Sequence, residues 1–316
     1  MNHELKMKLR ALSHNSKLFH IVYQMAANMK IKAQQALSDE EFIREKFKED
    51  TGKEPNLENP QTFNEKLQWL KLYDRQEKYT MLVDKYRVKQ YITEKIGAEY
   101  VIPVVGGPWK SADEIELDSL PKQFVLKCNH DCGSVVVCRD KDSFDLSAAR
   151  KKLNAALQKN YFWVGREWPY KNVEPCIFAE AYMEDPTDQE LRDYKFFCFH
   201  GQPKLIFIAT DRGNESVETK FDFFDMEFNH LDIRNGHPNA EVTPHKPHNF
   251  DVMKALAEKL SQGIPHVRVD FYEVDNKIYF GEMTFFHWGG MVVWEPEEWD
   301  ERLGTWLDIS GIIKRS

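Results

Sequence analysis

The richest stretch of chemistry is Val267-Arg-Val-Asp-Phe-Tyr-Glu-Val-Asp-Asn-Lys-Ile-Tyr-Phe-Gly-Glu-Met-Thr284. Alternation along a strand puts Arg268, Asp270 and Tyr272 on one face and Val269 and Phe271 on the other. A three-residue loop, Asp275-Asn276-Lys277, sets Asp270 opposite Glu282 and Arg268 opposite Thr284. All four then share a face, while Val269, Phe271, Tyr279, Met283 and Phe285 share the apolar one. A two-residue loop would split Asp270 from Glu282 and bury one carboxylate in the core, which is costly. Two neighbouring carboxylates repel unless a cation sits between them, and hard oxygen ligands at that spacing suit Mg²⁺ carrying polyphosphate. An ordinary hairpin with an ion pair across it has the same pattern, so the stretch needs corroboration.

Two weaker signals supply it. In Phe124-Val-Leu-Lys127-Cys-Asn-His130-Asp-Cys-Gly133-Ser134 a lysine ends a strand and a small polar turn follows, which can place an ammonium and backbone N–H groups around phosphate oxygens. It is neither the P-loop pattern nor G-x-G-x-x-G. In Phe178-Ala-Glu180-Ala-Tyr182-Met183-Glu184 a strand runs into a linker with free backbone groups, an edge suited to a nucleobase; Asp193-Tyr-Lys195-Phe follows.

The elements that must position these residues alternate between helices and antiparallel pairs. Ser38 and Glu41 form a capping-box pattern at the head of a helix closed by Gly52 and Pro55. Phe63, Leu67, Leu70 and Tyr73 mark a helix over 63–73, and another runs over 80–96 to Gly97. Val101 to Val105 reads as a strand, with Gly106-Gly107-Pro108 after it. Strands over 124–128 and 134–138, a helix over 147–159 and a strand over 177–182 follow. Next come a hairpin across His200-Gly201-Gln202-Pro203, a helix over 251–262 and the hairpin already described. The fold class is α+β, or mixed α/β.

In this order the three signals resemble the ATP-grasp superfamily, and the stretch from about Asn59 to 290 more closely resembles the TupA-like ATP-grasp family, found with surface-polysaccharide and teichuronopeptide biosynthesis. The segments that carry the resemblance are Thr62-Phe-Asn-Glu-Lys-Leu-Gln-Trp-Leu-Lys-Leu-Tyr-Asp74, Asp84-Lys-Tyr86, Leu120-Pro, Phe124-Val-Leu-Lys-Cys-Asn-His130, Arg166-Glu-Trp-Pro-Tyr170, Asp193-Tyr-Lys-Phe196 and Arg268-Val-Asp-Phe-Tyr272. Thr284 stands where many ATP-grasp enzymes have Asn, and Ala181 replaces a frequent acidic hinge residue.

The resemblance implies two α+β lobes enclosing a nucleotide cleft, with an N-terminal helical segment. Residues 1–75 would be that segment, 76–176 the lobe with the phosphate loop, and 177–316 the lobe with the metal hairpin. It implies ATP and Mg²⁺ as cofactors. Lys127 would hold the α- and β-phosphates under a loop through His130, Gly133 and Ser134. Glu180, Tyr182 and Met183 would border adenine, and Asp193 would meet ribose. Asp270 and Glu282 would ligate Mg²⁺, helped by Thr284. Lys195 would face phosphate, and Arg268 would stabilise charge on the transferred group, both as catalytic residues. Phosphoryl transfer is mostly positioning and charge neutralisation. The implied activity is an ATP-dependent carboxylate–amine ligase working through an acyl phosphate and amidating a uronic-acid carboxyl in capsule, O-antigen or teichuronopeptide biosynthesis. Its partners would be a sugar-acid or glycan acceptor and an amine donor, with a lipid-linked glycan at the inner membrane surface as one form of the acceptor.

Composition bounds these expectations. The 316 residues are 42% hydrophobic and 13% aromatic, enough for a real core, and the net charge of −8 argues against nucleic acid as a partner. The first 38 residues carry +5 and the remainder −13. Residues 4–36 read as a helix with a basic face, either packed on the body or attached to an anionic membrane surface. The expected location is cytoplasmic, or peripheral at the inner face of the membrane. The five cysteines read as reduced thiols rather than a disulfide framework. Five aromatics in Tyr161 to Tyr170 and four tryptophans from Trp288 onward suit either core packing or sugar stacking. His237, His245 and His248 read as loop residues. The alternative function is a glycosyltransferase using Asp140-Lys-Asp142 to hold a metal–diphosphate; its bland counterpart is a strand-end turn. A non-catalytic nucleotide-binding protein is the third class, which the set Lys127, Arg268, Asp270 and Glu282 argues against.

Overall fold

The computed structural model describes residues 34–184, 191–212, 217–312 and 314. The basic segment expected as a helix over 4–36 lies almost wholly outside them. The chain divides into two compact units, Met1–Lys46 and Phe47–Ser316. Ser38 and Glu41 form the expected capping box at the head of α1 (Asp39–Thr51): the Glu41 N–H donates to Ser38 Oγ and the Ser38 N–H to the Glu41 carboxylate.

The second unit carries two wholly antiparallel sheets. The smaller has the order β1-β4-β2-β3, from β1 (Val104–Trp109), β2 (Phe124–Cys128), β3 (Val135–Cys138) and β4 (Ile177–Ala181). The larger has the order β10-β9-β5-β6-β7-β8, from β5 (Asp193–Phe199), β6 (Gln202–Thr210), β7 (Lys220–Phe224), β8 (His230–Leu231), β9 (His266–Val274) and β10 (Lys277–Thr284). The expected boundary at 176/177 therefore cuts β4 from the sheet it completes. The boundary at 75/76 likewise separates a helix from residues it bonds to. Helix α2 (Phe63–Tyr73) packs with the large-sheet region, where Asp300 accepts from the Asn64 N–H and the Gly304 and Leu307 carbonyls accept from Lys66. Thr62 and Glu65 cap that helix reciprocally.

The helix expected over 80–96 is two helices, α3 (Glu77–Val83) and α4 (Val88–Lys95). The Asp84 carboxylate ends the first by accepting the N–H groups of Tyr86 and Arg87 and the amide of Asn129. The strand expected over 101–105 instead runs over 104–109 and includes the glycines. A Cβ on Gly107 would lie 2.9 Å from the Ile177 carbonyl, so only glycine lets β1 approach β4 there.

Register in the β9–β10 hairpin differs from expectation in mechanism though not in result. The turn has two residues, Asp275 and Asn276, both left-handed (φ 51° and 59°), with Val274 paired to Lys277. A bulge at Gly281 restores the pairing of Glu282 with Asp270 and of Thr284 with Arg268. A Cβ at Gly281 would stand 3.1 Å from the Asp270 carbonyl. Before the bulge the faces are exchanged, so Phe280 and Ile278 are buried and Tyr279, expected on the apolar face, pairs with Tyr272 instead. The β5–β6 turn is likewise shorter than expected, His200-Gly201, with Gln202 already in β6.

Each sheet packs one face on a helix. Phe124, Leu126, Cys128, Ile177 and Ala179 pack on Ala149, Leu153 and Ala156 of α5 (Leu146–Leu157). Phe196, Val269 and Phe271 of the larger sheet join Phe250, Met253 and Ala257 of α7 (Phe250–Ser261), counting Phe162–Gly165 as α6. The last helix among the described residues is α8 (Glu298–Trp306). All five cysteines are free. Among the described residues no helix is long and apolar enough to cross a membrane.

Candidate functional site

The other face of each sheet carries the charged groups. On the smaller sheet, register puts Lys127, Val125, Phe178, Glu180, Val104, Val135 and Val137 on one face. Val104, Val135 and Val137 are 37–46% exposed, an apolar surface left open beside charged groups. The buried Glu180 carboxylate binds the ammonium of Lys127 with one oxygen and that of Lys89 with the other, each at 2.5 Å. Burial raises the Glu180 carboxyl, but the two lysines outweigh it and hold the carboxyl below its ordinary value. Burial pushes Lys89 down. Lys89 was not read from the sequence; it lies on α4, far along the chain from its partner. Beside it opens a cavity of about 620 Å³ bounded by Tyr86, Tyr91 and Val104.

The larger sheet gathers the second cluster on the site face of β5, β9 and β10. Lys195 pairs across the strands with Asp270, and its ammonium lies 2.5 Å from Asp270 Oδ2. The Arg268 guanidinium grips both Asp270 oxygens at 2.7 Å and reaches Glu282 Oε1 at 3.3 Å and Thr284 Oγ1 at 3.1 Å. Asp270 and Glu282 thus bond to the same nitrogen, which keeps those oxygens within about 6 Å of each other. Burial opposes charge at Glu282, but Lys85, Lys195 and Arg268 together hold its carboxyl well below the usual range. Burial also lowers Lys195, with Asp270 opposing. Arg268 donates its remaining Nη1 to His287 Nδ1 at 2.7 Å, and His287 Nε2 meets Asn235 Oδ1 at 2.9 Å. Burial and Arg268 push His287 well below its ordinary value, so it stays neutral and accepts.

Lys85 joins the clusters. Its ammonium is 2.5 Å from the Asp131 carbonyl in the β2–β3 loop and 3.7 Å from Glu282. In that loop Ser134 donates to Asp131, and Gly133 takes φ 99° with open space beyond it. The His130 ring turns the other way. It is buried, with Nε2 against the Ala156 and Lys159 carbonyls, so its side chain ties the loop to the end of α5 and leaves any covering of phosphate to the loop backbone. Asp193 is buried and paired with Arg212 and, at 3.4 Å, with Lys195. Tyr182 accepts from Arg139 and donates to Glu184, and Met183 is half-buried. Asp140 and Asp142 belong to an exposed turn in which Asp140 accepts the Asp142 N–H, the bland outcome for that tripeptide.

Sequence reading also passed over Lys71, Lys85 and Glu167. All three lie in segments that carried the family resemblance, which marked them without giving them roles.

Do these residues suit the implied groups? Among the described residues no three His, Cys, Asp or Glu side chains converge as a metal cage. Mg²⁺ needs no such cage, since it takes one or two carboxylates and fills its shell with water and phosphate. Asp270 and Glu282 are such a pair. Lys127 and Lys89, above an open apolar face, fit a base and its phosphates.

The model of the TupA-like ATP-grasp family matches residues 65–308. Among solved structures the chain is similar to D-alanine–D-alanine ligase from Bacillus anthracis complexed with ATP (14% identity, TM-score 0.37, 65% of this chain and 54% of that one). It is similar to D-alanine–D-alanine ligase from Helicobacter pylori (13%, 0.38, 72% and 62%). A third is an L-amino acid ligase from Bacillus licheniformis (14%, 0.38, 66% and 44%). The chain thus spans between 44% and 62% of the length of these proteins. No curated protein matches it.

Proposed function

The chain belongs to the TupA-like ATP-grasp family, and from that premise we propose that it is an ATP-dependent carboxylate–amine ligase that amidates the carboxyl of a sugar acid in surface-polysaccharide biosynthesis. The observation that carries the reading is the constellation of buried Lys195, Arg268 and Asp270 with half-buried Glu282, within reach of Lys85 and the β2–β3 loop.

Bound ATP with Mg²⁺ would supply an electrophilic γ-phosphate to the substrate carboxylate, making an acyl phosphate that an amine can attack. Lys127 and Lys89 would hold phosphate oxygens; their shared carboxylate, Glu180, keeps both ammonium groups in place on the open face. Asp270 and Glu282 would hold the metal, with Thr284 steadying Glu282 through a 3.4 Å hydroxyl bond. The Arg268 fork and Lys195 supply fixed positive charge where negative charge grows, the largest single device in such catalysis. A sugar acceptor is supported by Trp288, whose indole is 44% exposed and stacked at 6.1 Å on Phe221, one residue beyond the histidine that Arg268 binds. Sugar rings pack their C–H faces on such a surface.

The test is ADP release by the purified protein with ATP and Mg²⁺, assayed against D-glucuronate, D-galacturonate and UDP-glucuronate, each with an amino acid as amine. Release of ADP that requires both acid and amine supports the ligase. Release of UDP from UDP-glucuronate without ATP would replace it with the glycosyltransferase reading.

A further inference from the structure

The proposed reaction needs a place for the amine, and that need points to a group outside the metal and phosphate clusters. His287, bonded to Arg268, begins the left-handed turn Trp288-Gly289-Gly290. Helix α2 pins this turn. Lys71 Nζ donates to the Gly289 carbonyl at 2.6 Å, and Gln68 Nε2 donates to the Gly289 and Gly290 carbonyls at 3.0 and 2.8 Å. Where a side chain on Gly289 would begin, Glu167 Oε1 and Lys71 Nζ each lie 3.7 Å away. Glu167 is 7% exposed and sits between left-handed Arg166 (φ 54°) and the tight turn Trp168–Tyr170, which fixes its backbone.

We propose that Glu167 receives the amine substrate as its ammonium form beside Gly289 and accepts the proton that must leave before the nitrogen attacks. The inference rests on the ligase reading. A primary amine is protonated at neutral pH and has no lone pair to offer. In the step, the C–N bond forms and the bond from the acyl carbon to the phosphate oxygen breaks, its electron pair leaving on phosphate. Of the ammonium protons, one remains on the amide nitrogen, one passes to Glu167 and one leaves on the phosphate as HPO₄²⁻.

The surroundings suit the role. Burial pushes the Glu167 carboxyl up to about 7, against the pull of Lys71, Arg268 and Lys85, with Glu282 adding to the rise. A carboxylate so placed is a stronger base than an exposed one and still ionised in part at neutral pH. Tyr161 and Tyr170 also feel its charge, and both are held in their neutral forms, their own groups pushed up chiefly by burial.

Hydroxylamine separates this role from the rest of the reaction, because it is uncharged at neutral pH and attacks an acyl phosphate without a base. The experiment supplies ATP, Mg²⁺ and the three sugar acids above, with either hydroxylamine or L-lysine, to wild type, Glu167→Gln and Glu167→Asp. ATP affinity of each variant reports folding. Expected are hydroxamate from all three proteins within a few-fold, amide lower by roughly 10²–10⁴-fold in Glu167→Gln, and partial recovery in Glu167→Asp. Equal loss of hydroxamate and amide in Glu167→Gln, or undiminished amide, would overturn the assignment. Absence of hydroxamate from wild type with every acid would instead remove the ligase reading, and the amine site with it.

Discussion

Arg268 lies flat against Asp270, two positions along the same strand, with Nε on one carboxylate oxygen and Nη2 on the other, both at 2.7 Å. The strand period makes this possible, because residues two apart share a face. Both are buried, so the pair is a fixed dipole. Arg268→Ala should destabilise the fold by about 3–5 kcal/mol, since Asp270 would keep only Lys195 as a buried counter-charge. Arg268→Lys keeps the charge but loses the fork and the link to His287. Urea unfolding should show the first effect. Steady-state turnover should show the second as a loss of roughly 10²–10³-fold, with a much smaller change in ATP affinity. Equal losses in both would make Arg268 a structural counter-ion only.

Lys127 and Lys89 share Glu180, so each should contribute to ATP binding. Replacing either with Ala should weaken ATP binding by about 1.5–3 kcal/mol, the worth of a charged hydrogen bond. Isothermal calorimetry reads this directly. Unchanged affinity in Lys89→Ala would confine phosphate binding to Lys127.

Gly281 sets the alignment of the metal pair. Gly281→Val would put a branched side chain against the Asp270 carbonyl, 3.1 Å from even a Cβ, and should cost about 1–3 kcal/mol of stability. It should also raise the Mg²⁺ concentration needed for half-maximal turnover. An unchanged Mg²⁺ requirement would show that the bulge can be lost without moving Glu282 from Asp270.

Acid should weaken the fold in a predictable window. His266 is buried among Phe63, Phe197 and Phe199, donates from Nδ1 to the Cys198 carbonyl, and is lowered to about 3 by burial. The unfolded chain binds this proton near pH 6.5 and the fold does not. The contribution of His266 to stability is therefore full above about pH 6.5 and falls by about 1.4 kcal/mol per pH unit below it. His287 acts in the same direction, and the depressed Glu282 adds a further loss below about pH 4.3. His266→Phe should reduce the slope between pH 6 and 5 by about one proton, as read from unfolding curves at each pH. An unchanged slope would show that His266 is protonated in the fold.

Much of this was legible in the sequence where the signal is local. The β9–β10 alternation, the β2–β3 pair and the 63–73 helix depend on neighbours along the chain, and they were placed within a few residues. Helix boundaries at Asp84 failed because a tertiary bond to Asn129 helps fix the break. Strands β7 and β8 were not read. The bulge at Gly281 corrects a register that the turn alone would have set wrongly, and only the pairing reveals it. Lys89, Lys71 and Glu167 were missed as site residues for a related reason. Each reaches its partner across long sequence separation, from elements whose own pattern reports only packing.

The central claim is that ATP activates a carboxylate, and oxygen transfer tests it most directly. The protein is given ATP, Mg²⁺, an amine and the sugar acid it turns over, labelled with ¹⁸O in the carboxylate, and the released phosphate is analysed by mass. An acyl phosphate passes one carboxylate oxygen to phosphate, so the account predicts one ¹⁸O in each phosphate for each amide formed. Amide formation with unlabelled phosphate would contradict it.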